Sequence, residues 1–137
     1  MDRNRLVARK VSEVFAAAVQ RGGTGMATGI SNDDFATLDA STDKAAPKMN
    51  MVVRPQGSAN ALGLQMMGVY FAYCGFEPSQ LSALVHAVPQ DGDIFGSTAS
   101  DLGNLIRSGD LANSVQVEDM MIEMGQYAAQ AHTRRTP

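Results

Sequence analysis

The stretch from Pro55 to Phe76, which carries no charged side chain, limits most strongly what this chain can fold into. It approaches the length of a transmembrane helix, which needs about 20 predominantly apolar residues. However, polar residues interrupt its first half, and the densely apolar part covers only residues 66–76. A membrane span needs a longer apolar segment than that. The sequence therefore favours a buried core helix over residues 58–74, ended by Gly75.

Apolar residues recur at spacings of three and four in several other segments, which predicts a mainly helical fold. The first such helix covers residues 4–20 and ends at a pair of glycines, Gly22 and Gly23. Three more helices are expected over residues 78–88, 98–108 and 117–132. Residues 90–96 are expected to form a turn before the helix that Thr98 and Asp101 cap.

The segment 22–57 has a different composition, dominated by small and polar residues. Within it, Ser31 and Asp34 have the spacing of a helix-capping box, and residues 49–54 suit an extended strand. We therefore expect a mainly α, single small helical domain of five to six helices with a long, partly extended segment. Along the chain 1–137, its parts would be a basic N-terminal helix over 1–21, a long loop or arm over 22–57 and a helical core over 58–137.

Charge is distributed unevenly along the chain. Residues 1–21 carry a balance of +3, residues 58–137 carry −5, and the whole chain carries −3. The first two turns of the first helix hold four basic residues, where the helix dipole disfavours cations. We expect these residues to be partner-binding: they would meet an acidic patch on a neighbouring copy or a partner, or join the N-terminal arm to an acidic body. Their neutralisation should leave the fold intact or stabilise it slightly, and should weaken assembly. They are Arg3, Arg5, Arg9 and Lys10.

The last helix has an apolar stripe wider than one core contact needs, so part of it is expected to bind a partner. Methionine is adaptable and suits surfaces that repack around partners, and the chain contains nine methionines. The partner-binding residues expected in this helix are Met120, Met121, Met124 and Tyr127.

Motifs that would indicate chemistry are incomplete. The glycine-rich segment 22–29 lacks the lysine and the preceding strand of a phosphate-binding loop. An acidic loop beginning at Asp91 lacks two of the ligands of a calcium site. Cys74, His86 and His132 are too few for a zinc site. We therefore expect no catalytic, cofactor-binding or metal-binding residues, no cofactor and no enzymatic activity.

The function expected on these grounds is that of a non-enzymatic structural or assembly subunit, of the kind found in virions or secretion apparatus. Its partners would be proteins, in a homo-oligomer or a larger assembly. The alternative is a small acidic regulatory or inhibitor protein that binds a basic site on a larger partner. The net negative charge disfavours nucleic acid as a partner. No signal peptide is recognisable, so a cytoplasmic location, or one within an assembled particle, is expected.

Overall fold

A computed structural model describes the chain over residues 3–22, 28–43, 51–53, 59–76, 94–111 and 115–135. The fold is mainly α, as the sequence predicts, with five helices and two short strands among these residues. In chain order the elements are α1 (Arg3–Gly22), β1 (Thr28–Ile30), α2 (Asn32–Thr42), β2 (Met51–Val53), α3 (Ala59–Tyr73), α4 (Ile94–Ser108) and α5 (Val115–Arg135).

Helix α1 lies at the centre of the fold and packs against every other helix and both strands of the described part. The apolar stripe that the sequence predicts in α1 explains this central position, because Val7, Val11 and Phe15 are fully buried. These residues recur every four positions and so lie along one side of the helix. Burial of each such side chain stabilises a fold by about 1.5–3 kcal/mol, so this side of α1 is a substantial part of the core.

Helix α2 and the two strands lie within residues 22–57, which the sequence predicts to be a long loop or arm. The capping box is present: the Asp34 backbone N–H donates to Ser31 Oγ at 3.3 Å, and the Ser31 N–H donates to Asp34 Oδ2 at 3.0 Å. Phe35 and Leu38 are buried in the core. Strands β1 and β2 pair antiparallel, with Gly29 opposite Val52. The extended segment predicted at 49–54 therefore contains a strand.

Helices α3 and α4 cross at backbone contact. A Cβ atom added to Gly63 would lie 1.7 Å from the carbonyl oxygen of Ala99, and one added to Gly103 would lie 1.7 Å from that of Ala59. Each helix thus contributes one alanine and one glycine four residues apart, and the two pairs face each other in antiparallel order. This small-residue crossing was not among the sequence predictions.

Helix α4 starts earlier than expected. It begins at Ile94, so residues 94–96 are helical although the sequence predicted a turn, and Thr98 lies inside the helix although it was expected to cap it. The prediction relied on a local capping signal, and in the structure the helix begins four residues before the expected cap at Thr98. The predicted stop is correct, since Gly109 follows the helix with φ +82°. The helix predicted over 78–88 lies outside the described residues.

None of the helices in the described part is both long enough and apolar enough to cross a membrane. Helix α3, the uncharged one, has 15 residues, which is short of a span. Most of its side chains, including Met66, Met67 and Tyr70, are buried in the core. The prediction of a core helix in this stretch is confirmed.

Candidate interaction site

The N-terminal basic residues contact the acidic start of α5 within the same chain. Arg5 donates from Nη1 to Glu118 Oε2 at 3.0 Å and from Nη2 to Asp119 Oδ1 at 2.7 Å. Arg9 donates from Nε to Glu118 Oε1 at 2.7 Å. The Glu118 side chain is only 10% exposed and lies at the edge of the core. Each of its two carboxylate oxygens accepts a hydrogen bond from one of the two arginines. The acidic residues that Arg5 and Arg9 contact therefore belong to the same chain.

Simple helix geometry explains this arrangement. Arg5 and Arg9 are four residues apart, so they lie one above the other on one side of α1. Glu118 lies in the first turn of α5, where the helix dipole favours a negative charge. Hydrogen bonds to Asp119 and then to Glu118 raise the pKa of Arg5, which remains charged in any case.

The other two basic residues of the cluster also have contacts within the chain. Arg3 donates from Nη1 to the backbone carbonyl of Thr42 at 2.7 Å. Thr42 ends α2, and the last carbonyls of a helix have no partner within it, so Arg3 serves as a C-terminal cap. Lys10 Nζ lies 3.6 Å from Glu13 Oε2. These contacts offset the unfavourable dipole position, which revises the expectation that neutralising the cluster leaves the fold intact or slightly stabilises it.

The four residues predicted to bind a partner on α5 divide into two pairs. Met121 and Met124 are buried within the chain, and Met121 Sδ lies 3.8 Å from Ser12 Oγ of α1. They are core residues and present no surface to a partner. Met120 and Tyr127 are only partly buried against the core. They are seven residues apart, about two turns, and so share one side of the helix. We refer to Met120 and Tyr127 as the α5 shoulder.

A hydrogen-bonded tyrosine joins α3 to α2, which the sequence analysis did not single out. Tyr73 is buried, and its hydroxyl donates to Asp39 Oδ1 at 2.6 Å, with the carbonyl oxygen of Phe35 as a second, longer acceptor at 3.3 Å. Burial raises the pKa of Tyr73, and the hydrogen bond to Asp39 raises it further. The phenol therefore stays protonated and acts as a donor that fixes α2 on the core. The only sign of this hydrogen bond in the sequence is a tyrosine at the end of an apolar run.

The remaining reactive groups do not assemble into a site in the described part of the chain. Cys74 is half-buried, with Sγ 3.6 Å from Asn4 Oδ1. Within the residues whose positions are described, no three histidine, cysteine or acidic side chains are placed to hold a metal ion. His86, the acidic loop at Asp91 and the side chain of His132 lie outside the described residues.

Comparisons of the chain with known protein families, with curated proteins and with solved structures found no match. The contacts described above are therefore the basis for assigning a function. They separate Arg5, Arg9, Glu118 and Asp119, which bind one another inside the chain, from the partly buried residues of the α5 shoulder.

Proposed function

We propose that this protein is a non-enzymatic structural subunit that assembles with copies of itself through apolar packing. The observation that carries the proposal is the α5 shoulder, Met120 and Tyr127, which is apolar and only partly covered by the core. Methionine and tyrosine are among the residues enriched in protein interfaces, because methionine adapts to a partner and tyrosine offers a large contact surface.

The charge of the chain supports apolar contacts as the means of association. Each copy carries a net charge of −3, so two copies repel one another over most of their surfaces. Attraction between the basic start of one copy and the acidic part of another would need those residues to be available. Arg5, Arg9 and Glu118 already bind one another within the chain. Close association is then favoured on apolar side chains, such as those of the α5 shoulder, beside which Glu123 is exposed.

The same contacts weigh against the alternative of an acidic inhibitor of a basic site. Such a protein needs a face of carboxylates free to meet cations. Glu118 and Asp119 are held by arginines, and Asp34 accepts from Arg21 Nη2 at 2.9 Å. Each of these pairs would have to break before the carboxylate met a partner.

The test is the native mass of the protein, measured by sedimentation equilibrium over a range of concentrations. The parent should be a dimer or a larger oligomer, and Met120→Glu and Tyr127→Glu should shift it toward the monomer. Gln126→Glu is the matched control, because it adds the same charge to an exposed position of the same helix about 100° away from Tyr127. Circular dichroism must remain that of a helical protein in all three variants.

A parent protein that stays monomeric at high concentration would contradict the proposal. So would shoulder variants that remain helical and keep the mass of the parent oligomer. If a shoulder variant unfolds, Met120→Gln and Tyr127→Gln replace it in the same measurement, because they introduce polarity without charge.

A further inference from the structure

One basic side chain of the described part differs from the others, because no contact within the chain holds it. Arg107 lies in the last turn of α4 and is exposed. Among the described residues, its guanidinium has neither a hydrogen bond nor an ion pair. The other basic side chains that the structure describes each have a partner in the chain, namely Arg3, Arg5, Arg9, Lys10 and Arg21. Arg107 is therefore the cation that another molecule can reach without breaking a described contact.

The α5 shoulder contains an exposed acid without a counter-ion. Glu123 follows Met120 by three positions and precedes Tyr127 by four, so it lies on the same side of the helix. It is exposed and makes no ion pair with the described residues, unlike Glu118 and Asp119 on the same helix. The shoulder thus presents two partly buried side chains with an uncompensated negative charge between them.

A partner that matches this surface has to bring a cation and apolar contact together. Arginine supplies both, because its methylene stem packs on apolar side chains while its guanidinium stays charged. The guanidinium binds a carboxylate through two parallel hydrogen bonds and also stacks on aromatic rings such as that of tyrosine. Arginine, tyrosine and methionine are the residue types enriched together in protein interfaces.

We propose that the α5 shoulder of one copy binds the last turn of α4 of a second copy, where Arg107 pairs with Glu123. The inference rests on the proposed function, because it names the surface of the second copy that the shoulder binds. Neither residue has a described ion pair to give up, so the contact forms without loss inside either copy. It also lets two chains of net charge −3 approach, since opposite charges meet at the point of contact.

Charge reversal on the two sides of the contact tests the pairing. One variant carries Glu123→Arg and the other carries Arg107→Glu. In either variant alone, like charges face each other wherever two copies meet. In an equimolar mixture, each contact between unlike chains joins opposite charges, and a single chain with both reversals restores the pair in every copy. Native mass is measured by sedimentation equilibrium over a range of concentrations.

Each variant alone should raise the dissociation constant of the assembly at least about tenfold. The mixture and the doubly reversed chain should regain the mass of the parent. The matched control combines Arg107→Glu with Asp101→Arg, an exposed position on α4. This chain has the net charge of the parent, but two acids still face each other at the contact, so it should stay dissociated. All variants should keep the circular dichroism of a helical protein, because they alter exposed side chains only.

Three results would overturn the pairing of Arg107 with Glu123. The first is a single variant that remains helical and keeps the mass of the parent assembly. The second is a doubly reversed chain that stays dissociated. The third is a control chain with Asp101→Arg that regains the parent mass, because net charge would then explain the recovery.

The failure of this pairing and that of the proposed function have different outcomes. A parent that is an oligomer, with any of these three results, shows that Arg107 is not the occupant, while self-association through the shoulder stands. A parent that is a monomer shows that the proposed function itself is wrong. If a reversal unfolds the chain, Glu123→Gln and Arg107→Gln replace it, and each should weaken association less than the reversal because it removes the pair without creating repulsion.

Discussion

Replacement of Gly63 by alanine should destabilise the fold through the crossing of α3 and α4. The added Cβ would lie 1.7 Å from the carbonyl oxygen of Ala99. A carbon in contact with a backbone oxygen lies at about 3.3 Å or more, so the two helices would have to separate by about 1.6 Å. The obstacle is backbone on a neighbouring helix, and a side-chain rotation cannot relieve it.

The expected net loss is about 1–3 kcal/mol of the free energy of unfolding. Overpacking of a well-packed core costs about 1–3 kcal/mol and occasionally more. A radial gap of 0.5–1 Å already forfeits about a quarter to a half of each dispersion contact, so separating the helices also weakens the packing of Leu62 and Leu102. Against this, alanine is about 1 kcal/mol more favourable than glycine within a helix. The loss is a large share of the stability of a small domain.

The assay is equilibrium unfolding in urea, followed by circular dichroism. Gly125→Ala is the matched control, because its Cβ would meet Tyr70 Oη at 3.4 Å, an ordinary contact distance, and it should leave stability unchanged or raise it by up to about 1 kcal/mol. Gly103→Ala should resemble Gly63→Ala. The double variant should lose less than the two single losses combined, because one separation of the helices relieves both clashes. A Gly63→Ala protein as stable as the Gly125→Ala protein would refute the backbone contact between α3 and α4.

Three further predictions concern polar contacts. Glu118→Gln removes the negative charge that Arg5 and Arg9 bind and should lower the free energy of unfolding in urea by about 1–2 kcal/mol. Because salt screens charges, a loss that is no greater in low salt than in high salt would contradict this prediction. The pKa of Tyr73 is raised in the folded protein. The stability that its hydroxyl contributes is therefore complete below the ordinary tyrosine pKa of about 10 and is lost as the pH rises above that value. Tyr73→Phe should therefore be less stable than the parent at pH 8 and the difference should shrink toward pH 11; a constant difference would contradict the hydrogen bond to Asp39. Ser31→Ala removes the helix cap and should cost about 1 kcal/mol, checked by thermal unfolding against the exposed variant Thr37→Ala.

The parts of the fold that were predictable from the sequence are those with local signals. The repeat of Val7, Val11 and Phe15 indicates one buried side of a helix without knowledge of what covers it. Ser31 and Asp34 form their capping box within four residues, so the start of α2 follows from the sequence alone. The uncharged stretch indicates a buried helix because no charged side chain has to be kept in water.

The parts that were not predictable depend on residues far apart in the chain. Gly63 approaches Ala99 because two helices cross, and neither residue indicates this crossing by itself. The hydrogen bond between Tyr73 and Asp39 joins residues 34 positions apart, and only the fold brings them together.

The candidate site illustrates the same limit. The sequence identifies an excess of cations at the start of α1 and an excess of acids in the second half, and Glu118 and Asp119 are the two of these acids that bind the α1 arginines. It could not determine that Arg5 and Arg9 find their acids within the chain, because that depends on α1 and α5 lying side by side. Likewise, the apolar stripe of α5 is evident, but which methionines face the core depends on the direction from which α1 packs.

The most direct test of the central claim, self-association through the α5 shoulder, is the native mass of the parent and of Tyr127→Glu, measured side by side by sedimentation equilibrium. We predict a parent mass of at least twice the 14.5 kDa of one chain and a concentration-dependent fall toward 14.5 kDa in the variant, with unchanged helical content. A parent that sediments at 14.5 kDa throughout the concentration range would contradict the account.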